Sequence, residues 1–153
     1  MHPFDARQLA WELMRQHGLT DAGWRFRFDH ARRRFGCCHY GSRWITLSRP
    51  LTLLNAEPEV RDTVLHEIAH ALCPGDGHGP KWRAKCREIG ARPVRCYSDR
   101  TVLSPPRAPA RLEWGCRSCD WWVPRRRRTR GTFVCTKCRT RLAYRPRLAP
   151  VAT

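Results

Sequence analysis

Two histidines four residues apart, with a glutamate directly after the first, constrain this chain more than any other feature: His66-Glu67-Ile68-Ala69-His70. The pattern needs an α-helix to bring its residues together. At about 100° per residue, His70 lies about 40° from His66 and Glu67 about 100° from it, so all three project toward one side. Val60, Val64, Ile68, Ala71 and Leu72 fall on the opposite side, about 120° to 240° away. The spacing predicts a helix from near Pro58 to about Cys73, capped by Asn55, with an apolar face on a core and the polar triplet on a cleft.

Residue chemistry says what such a triplet can do. Two neutral imidazoles bind Zn²⁺, and a third protein ligand leaves one position for water, whose pKa the metal lowers toward ~7. Glu67 can accept that water's proton and hand it to a leaving amine. The longer zinc-peptidase signature H-E-x-x-H-x-x-G-x-x-H is absent, because Cys73 and Asp76 stand where its glycine and third histidine belong. Four residues remain candidates for the third ligand: His78, Asp76, Cys73 and Glu88. Spacing favours His78 over Glu88, since Gly77 and Gly79 let the loop fold back tightly.

Elsewhere the pattern alternates between helix and strand. Asp5–His17 reads as a helix stopped by Gly18, and Trp24, Phe26 and Phe28 alternate with arginines as a strand with one buried face. Further strands are predicted over Phe35–Tyr40 and Trp44–Leu47, and a short helix over Pro80–Ile89. An extended peptide substrate is expected to pair with an edge at Trp44–Leu47, where proline at 46 would raise KM. The expected fold class is α+β: a zincin-like metalloprotease domain with a small three-stranded sheet and an active-site helix, plus a C-terminal four-cysteine zinc ribbon. The expected domains are 1–99 for the protease, 100–110 for a proline-rich linker, 111–145 for the cysteine module and 146–153 for a disordered tail.

Cys116-x-x-Cys119 and Cys135-x-x-Cys138 have the spacing of a four-cysteine structural zinc site. The other five cysteines, Cys37, Cys38, Cys73, Cys86 and Cys96, are expected to be buried or inert thiols. A paired C-x-x-C pattern without a secretory signal, and with no run near the ~18 apolar residues of a membrane span, reads as a cytoplasmic protein in a reducing compartment. Monomer is the default.

The formal charge is +17, and it is uneven. Residues 1–99 hold 16 basic and 11 acidic groups, whereas 100–153 hold 14 basic and two acidic. Arg125, Arg126, Arg127, Arg128 and Arg130, with Trp121 and Trp122, form the expected nucleic-acid contact. Arginines neutralise phosphates and flat rings stack on unpaired bases, which suits single-stranded or junction DNA. The competing expectation is that one or both tryptophans pack beneath the module.

Leu47-Ser48, the run from Thr63 through His66-Glu67-Ile68-Ala69-His70 to Leu72, and Gly77-His78-Gly79-Pro80-Lys81-Trp82 together resemble the SprT-like domain of bacterial SprT proteins and the eukaryotic protease Spartan. Leu13-Met14, His17-Gly18-Leu19, Trp24 and Phe26 add to the resemblance, which spans most of 5–97. It implies zinc ligation by His66, His70 and His78, with Glu67 as general base. It also implies a DNA-dependent protease that degrades proteins crosslinked to DNA. Two other functions remain open from the sequence. One is a nucleic-acid-binding zinc protein with an idle protease-like domain; the other is a general cytoplasmic peptidase.

Overall fold

The computed structural model describes residues 1–95 and 102–147. Cys96, the expected domain boundary at 99–100 and residues 148–153 of the expected tail lie outside the described residues. The chain divides into two compact units, Met1–Pro105 and Pro106–Thr153.

The first unit opens with helix α1 (Pro3–Gln16), which buries Ala6, Leu9, Ala10, Leu13 and Met14 along one stripe. Gly18, at φ +69°, takes the left-handed turn that ends it. Three strands follow: β1 (Arg25–Asp29), β2 (Gly36–His39) and β3 (Trp44–Ser48). Helix α2 (Arg49–Leu54), not foreseen from the sequence, leaves β3 directly. Its signal was Ser48-Arg49-Pro50: the Ser48 hydroxyl accepts from the Leu51 N–H at 3.1 Å, and Pro50 sits in the first turn. Helices α3 (Glu57–Leu72) and α4 (Pro80–Glu88) complete the unit.

Strand β3 is the centre of the sheet, parallel to β1 from Arg25↔Trp44 to Asp29↔Ser48 and antiparallel to β2 from Gly36↔Leu47 to His39↔Trp44. This overturns the expected docking edge. Trp44–Leu47 is hydrogen-bonded on both sides and offers no free ladder to a substrate. The edge that lies against α3 is β2. In the same registers Phe26, Ile45 and Leu47 share the inner face, where they meet Leu13, Met14, Val60, Val64 and Ile68 in one core.

Asn55 does not cap α3. The cap position is Ala56, which makes no side-chain bond. Asn55 instead ends α2 and clamps the chain further on: its amide donates to the Leu51 and Leu103 carbonyls at 2.7 and 2.8 Å, and its oxygen accepts from the Leu103 N–H at 2.7 Å. Three bonds orient this buried amide toward Leu51 and Leu103, and residue 55 lies one position before the cap of α3.

The second unit is a three-stranded antiparallel sheet of β4 (Leu112–Cys116), β5 (Trp121–Arg125) and β6 (Ala143–Pro146), in the order β5-β4-β6. Among its described residues the only buried apolar side chains are Cys116 and Cys135. The chain is thus a mixed α/β protein with two small three-stranded sheets. Among the described residues no helix is long and apolar enough to cross a membrane.

Candidate active site and metal centres

Helix α3 carries His66 and His70 one turn apart, and the loop after it brings His78 to meet them. The three Nε2 atoms form a triangle with sides of 3.2, 3.2 and 3.3 Å. Three nitrogens each about 2.05 Å from one tetrahedral zinc would stand about 3.3 Å apart, so the triangle fits the ion. Electrostatics agree. Burial, with the neighbouring rings adding to it, pulls His66 down to about 3 and His70 down to about 4. Burial also lowers His78, helped by the charges of Arg95 and Arg83. All three are therefore neutral near pH 7, the form that offers a lone pair to a metal.

The other candidate ligands have different work. Asp76 accepts the Trp82 N–H at 2.8 Å and the Gly79 N–H on its backbone carbonyl at 2.9 Å, which closes the His78 loop and caps α4. Glu88 pairs with Lys85 at 2.6 Å on an exposed face. Cys73 is the C-cap of α3, with its N–H bonded to the carbonyls of Ala69 and His70, and it packs against the core.

Glu67 sits differently from the expectation of an open cleft. Its residue is only 7% exposed, because β2 covers that side of α3. The approach is close enough that a Cβ on Gly36 would stand 2.7 Å from the Glu67 Cγ and Oε1 and 2.9 Å from the Thr63 methyl. Burial pushes the Glu67 carboxyl up to about 8, against the opposing pull of the Cys38 N–H and the Arg34 charge. The result is a carboxylate with unusual proton affinity, directed by one backbone donor. The half-buried Cys37 and Cys38 are poor nucleophiles: burial raises both thiols, Cys38 to about 12.

Trp82 of α4 was given no role in the sequence reading. It is fully buried beneath all three imidazoles, with ring centroids 4.7 Å from His66, 5.2 Å from His70 and 4.6 Å from His78. The signal was a helix of alternating basic residues interrupted by Trp82 and Cys86, an apolar pair at i, i+4. Gly36 was also missed. Its importance comes from a contact across the fold, which no local pattern reveals.

In the second unit the sulfurs of Cys116, Cys119, Cys135 and Cys138 all lie within 4.8 Å of one another. The Cys116–Cys138 and Cys119–Cys135 distances are 3.4 and 3.9 Å. Thiolates about 2.3 Å from a tetrahedral zinc are separated by about 3.8 Å, so this set fits as well. Each Cys-x-x-Cys turn is followed by a residue in the left-handed region, Asp120 at φ 47° and Arg139 at φ 60°.

The two tryptophans of the sequence reading occupy opposite sheet faces, because neighbours on a strand alternate. Trp121 hydrogen-bonds Cys135 and meets Trp114 edge-on at 6.0 Å, so it packs with the metal cluster. Trp122 donates to Asp120 at 3.0 Å and lies under the Arg145 guanidinium at 4.0 Å. Arg125 and Arg128 lie over the rings of Trp114 and Tyr144 at 5.0 and 5.4 Å, and Arg126 donates to the Ala108 carbonyl at 2.6 Å. Arg127 and Arg130 are exposed.

Fold and site together define a mixed α/β protein with one three-histidine and one four-cysteine candidate metal centre. The chain belongs to the SprT-like family, whose model matches residues 7–102. That family is generally linked to metalloprotease-like domains. Comparison with curated proteins gave no match, and comparison with solved structures gave none.

Proposed function

We propose that the chain is a zinc-dependent endopeptidase with a zincin-like first unit, acting on proteins bound or crosslinked to DNA. The observation that carries this reading is the Nε2 triangle beside the buried carboxylate of Glu67, at the foot of a free sheet edge. His66, His70 and His78 would hold the zinc. When bound, the ion would supply Lewis acidity toward a water molecule and a peptide carbonyl.

The remaining work belongs to the chain. Glu67 would take a proton from water at its carboxylate oxygen and return it to the leaving amine. Cys38 N–H fixes the carboxylate's orientation. Edge strand β2 pairs only with β3 among the described residues, and its outer backbone groups other than the Cys38 N–H would align an extended peptide. Trp82 holds the three imidazoles from below and keeps water out of that side.

The arginine-rich second unit supports association with DNA, where its four-cysteine zinc would be structural. The test is cleavage of a histone-like substrate with and without single-stranded DNA, with zinc content measured in the same samples. Glu67→Gln should lower kcat by about 10²- to 10⁴-fold with two zinc ions per chain retained. Cleavage indifferent to DNA removes the DNA reading, and cleavage that survives Glu67→Gln removes the mechanism.

A further inference from the structure

The positive charge of the first unit has a definite address. Residues 24–48 contain six arginines and one carboxylate, Asp29, whereas the rest of 1–99 holds ten basic and ten acidic groups. The whole net excess of that region thus belongs to the segment that forms the β1-β3-β2 sheet.

The sheet register concentrates part of this charge on one surface. Phe26, Ile45 and Leu47 point to the core, so Arg25, Arg27, Trp44, Thr46, Cys37 and His39 share the opposite face. Arg25 and Arg27 lie over the Trp44 ring, at 4.8 and 5.0 Å from its centroid. A guanidinium held over a ring has five N–H donors, more than the ring can engage, which leaves donors for an anion. The carboxylate of this face is already engaged: Asp29 accepts from the Ala31 N–H at 2.9 Å, the Thr46 hydroxyl at 3.1 Å and Arg34 at 2.5 Å. Among the described residues no carboxylate pairs with Arg25 or Arg27.

We propose that this outer sheet face binds the phosphate backbone of a single-stranded nucleic acid, through Arg25 and Arg27 held on Trp44. Two guanidiniums on alternate residues of one strand repeat about every 6.6 Å, a regular row suited to a linear polyanion. A protein partner would need an apolar centre to its interface, and among the described residues the one large apolar ring of this face, Trp44, is already covered by two cations. The contact is separate from the arginines of the second unit and requires no peptidase activity.

The test uses the zinc-loaded full chain and a labelled oligothymidine, with anisotropy read from about 50 to about 200 mM salt. The Arg25→Ala/Arg27→Ala double variant should bind on the order of tenfold more weakly. Its salt slope should fall by about 1.4, at about 0.7 per phosphate on a single strand. Arg25→Gln/Arg27→Gln keeps the side-chain stems over Trp44 and should behave alike, so a folding defect in the alanine variant does not leave the question open. Unchanged affinity and slope in folded variants overturn the proposal. Competition by polyglutamate as strong as by unlabelled oligothymidine, at equal charge, overturns nucleic acid as the occupant.

Discussion

The two units solve the same problem, gathering ligands around one point, from opposite starting positions. The first places two of its three imidazoles on a helix whose Val60, Val64 and Ile68 are fully buried, and the third on the loop that follows, over a tryptophan that is also fully buried. The second has no apolar core beyond Cys116 and Cys135 among its described residues. In the first, the fold makes the site. In the second, a bound metal would make the fold, because a short sheet with this little buried surface cannot offset its own chain entropy. Metal should therefore be replaceable in one unit without structural loss and indispensable in the other.

Breaking each site in turn tests that contrast and carries the largest expected effect. Cys116→Ser should unfold the second unit, since structural zinc contributes about 10–16 kcal/mol to folding in comparable peptides. Tryptophan fluorescence and amide exchange would report loss of protection across β4, β5 and β6 alone. His66→Ala should abolish zinc at the first site while the helices of that unit keep their protection. If both substitutions melt their units alike, the contrast is wrong.

A smaller effect should come from the contact that seats Glu67. The Cβ of Gly36→Ala would meet the Glu67 side chain and the Thr63 methyl at distances that require movement, and overpacking of this kind typically costs about 1–3 kcal/mol. The carboxylate is the more displaceable partner, so kcat should fall by about tenfold or more while KM and the zinc content of both units hold. A wild-type kcat would mean that β2 yields instead and that Gly36 does not position the base. The second unit offers no counterpart: Gly115 lies under backbone, where an added Cβ would strike the Trp121 carbonyl and disturb structure rather than chemistry.

This asymmetry also governs what the sequence made legible. The histidine pair, Glu67 and the four cysteines could be read directly, because their geometry is set by local repeats of helix and turn. Helix α1 and strand β1 followed from apolar spacing in the same way. Strand order did not. Whether β3 is central or at an edge depends on β1 crossing to its far side, and no residue in Trp44–Leu47 records that. The burial of Glu67 was invisible for a related reason, since the helical wheel shows which way a side chain points and not what covers it. Trp121 and Trp122 looked equivalent as neighbours in sequence, yet strand alternation sends one to the cysteine cluster and the other under Arg145.

The smallest expected effect concerns Asp76, which the sequence offered as a ligand and the structure uses as a loop closure. Its carboxylate holds the Trp82 N–H, and a Cβ at Gly79 would stand only 2.7 Å from it, so the loop is drawn tightly over the start of α4. Removing a cap of this type costs about 0.5–2 kcal/mol. Because His78 hangs on that loop, part of the loss should pass into metal affinity at the first site only. Asp76→Ala should therefore weaken zinc binding there by roughly twofold to thirtyfold, as 0.5–2 kcal/mol converts. Competition with a chelator would measure this, and the four-cysteine site serves as the internal reference. Asp76→Asn, which keeps an acceptor oxygen for the Trp82 N–H, should restore most of the affinity. A direct ligand would behave otherwise: the amide would fail to replace the carboxylate, and zinc would be lost from the first site outright.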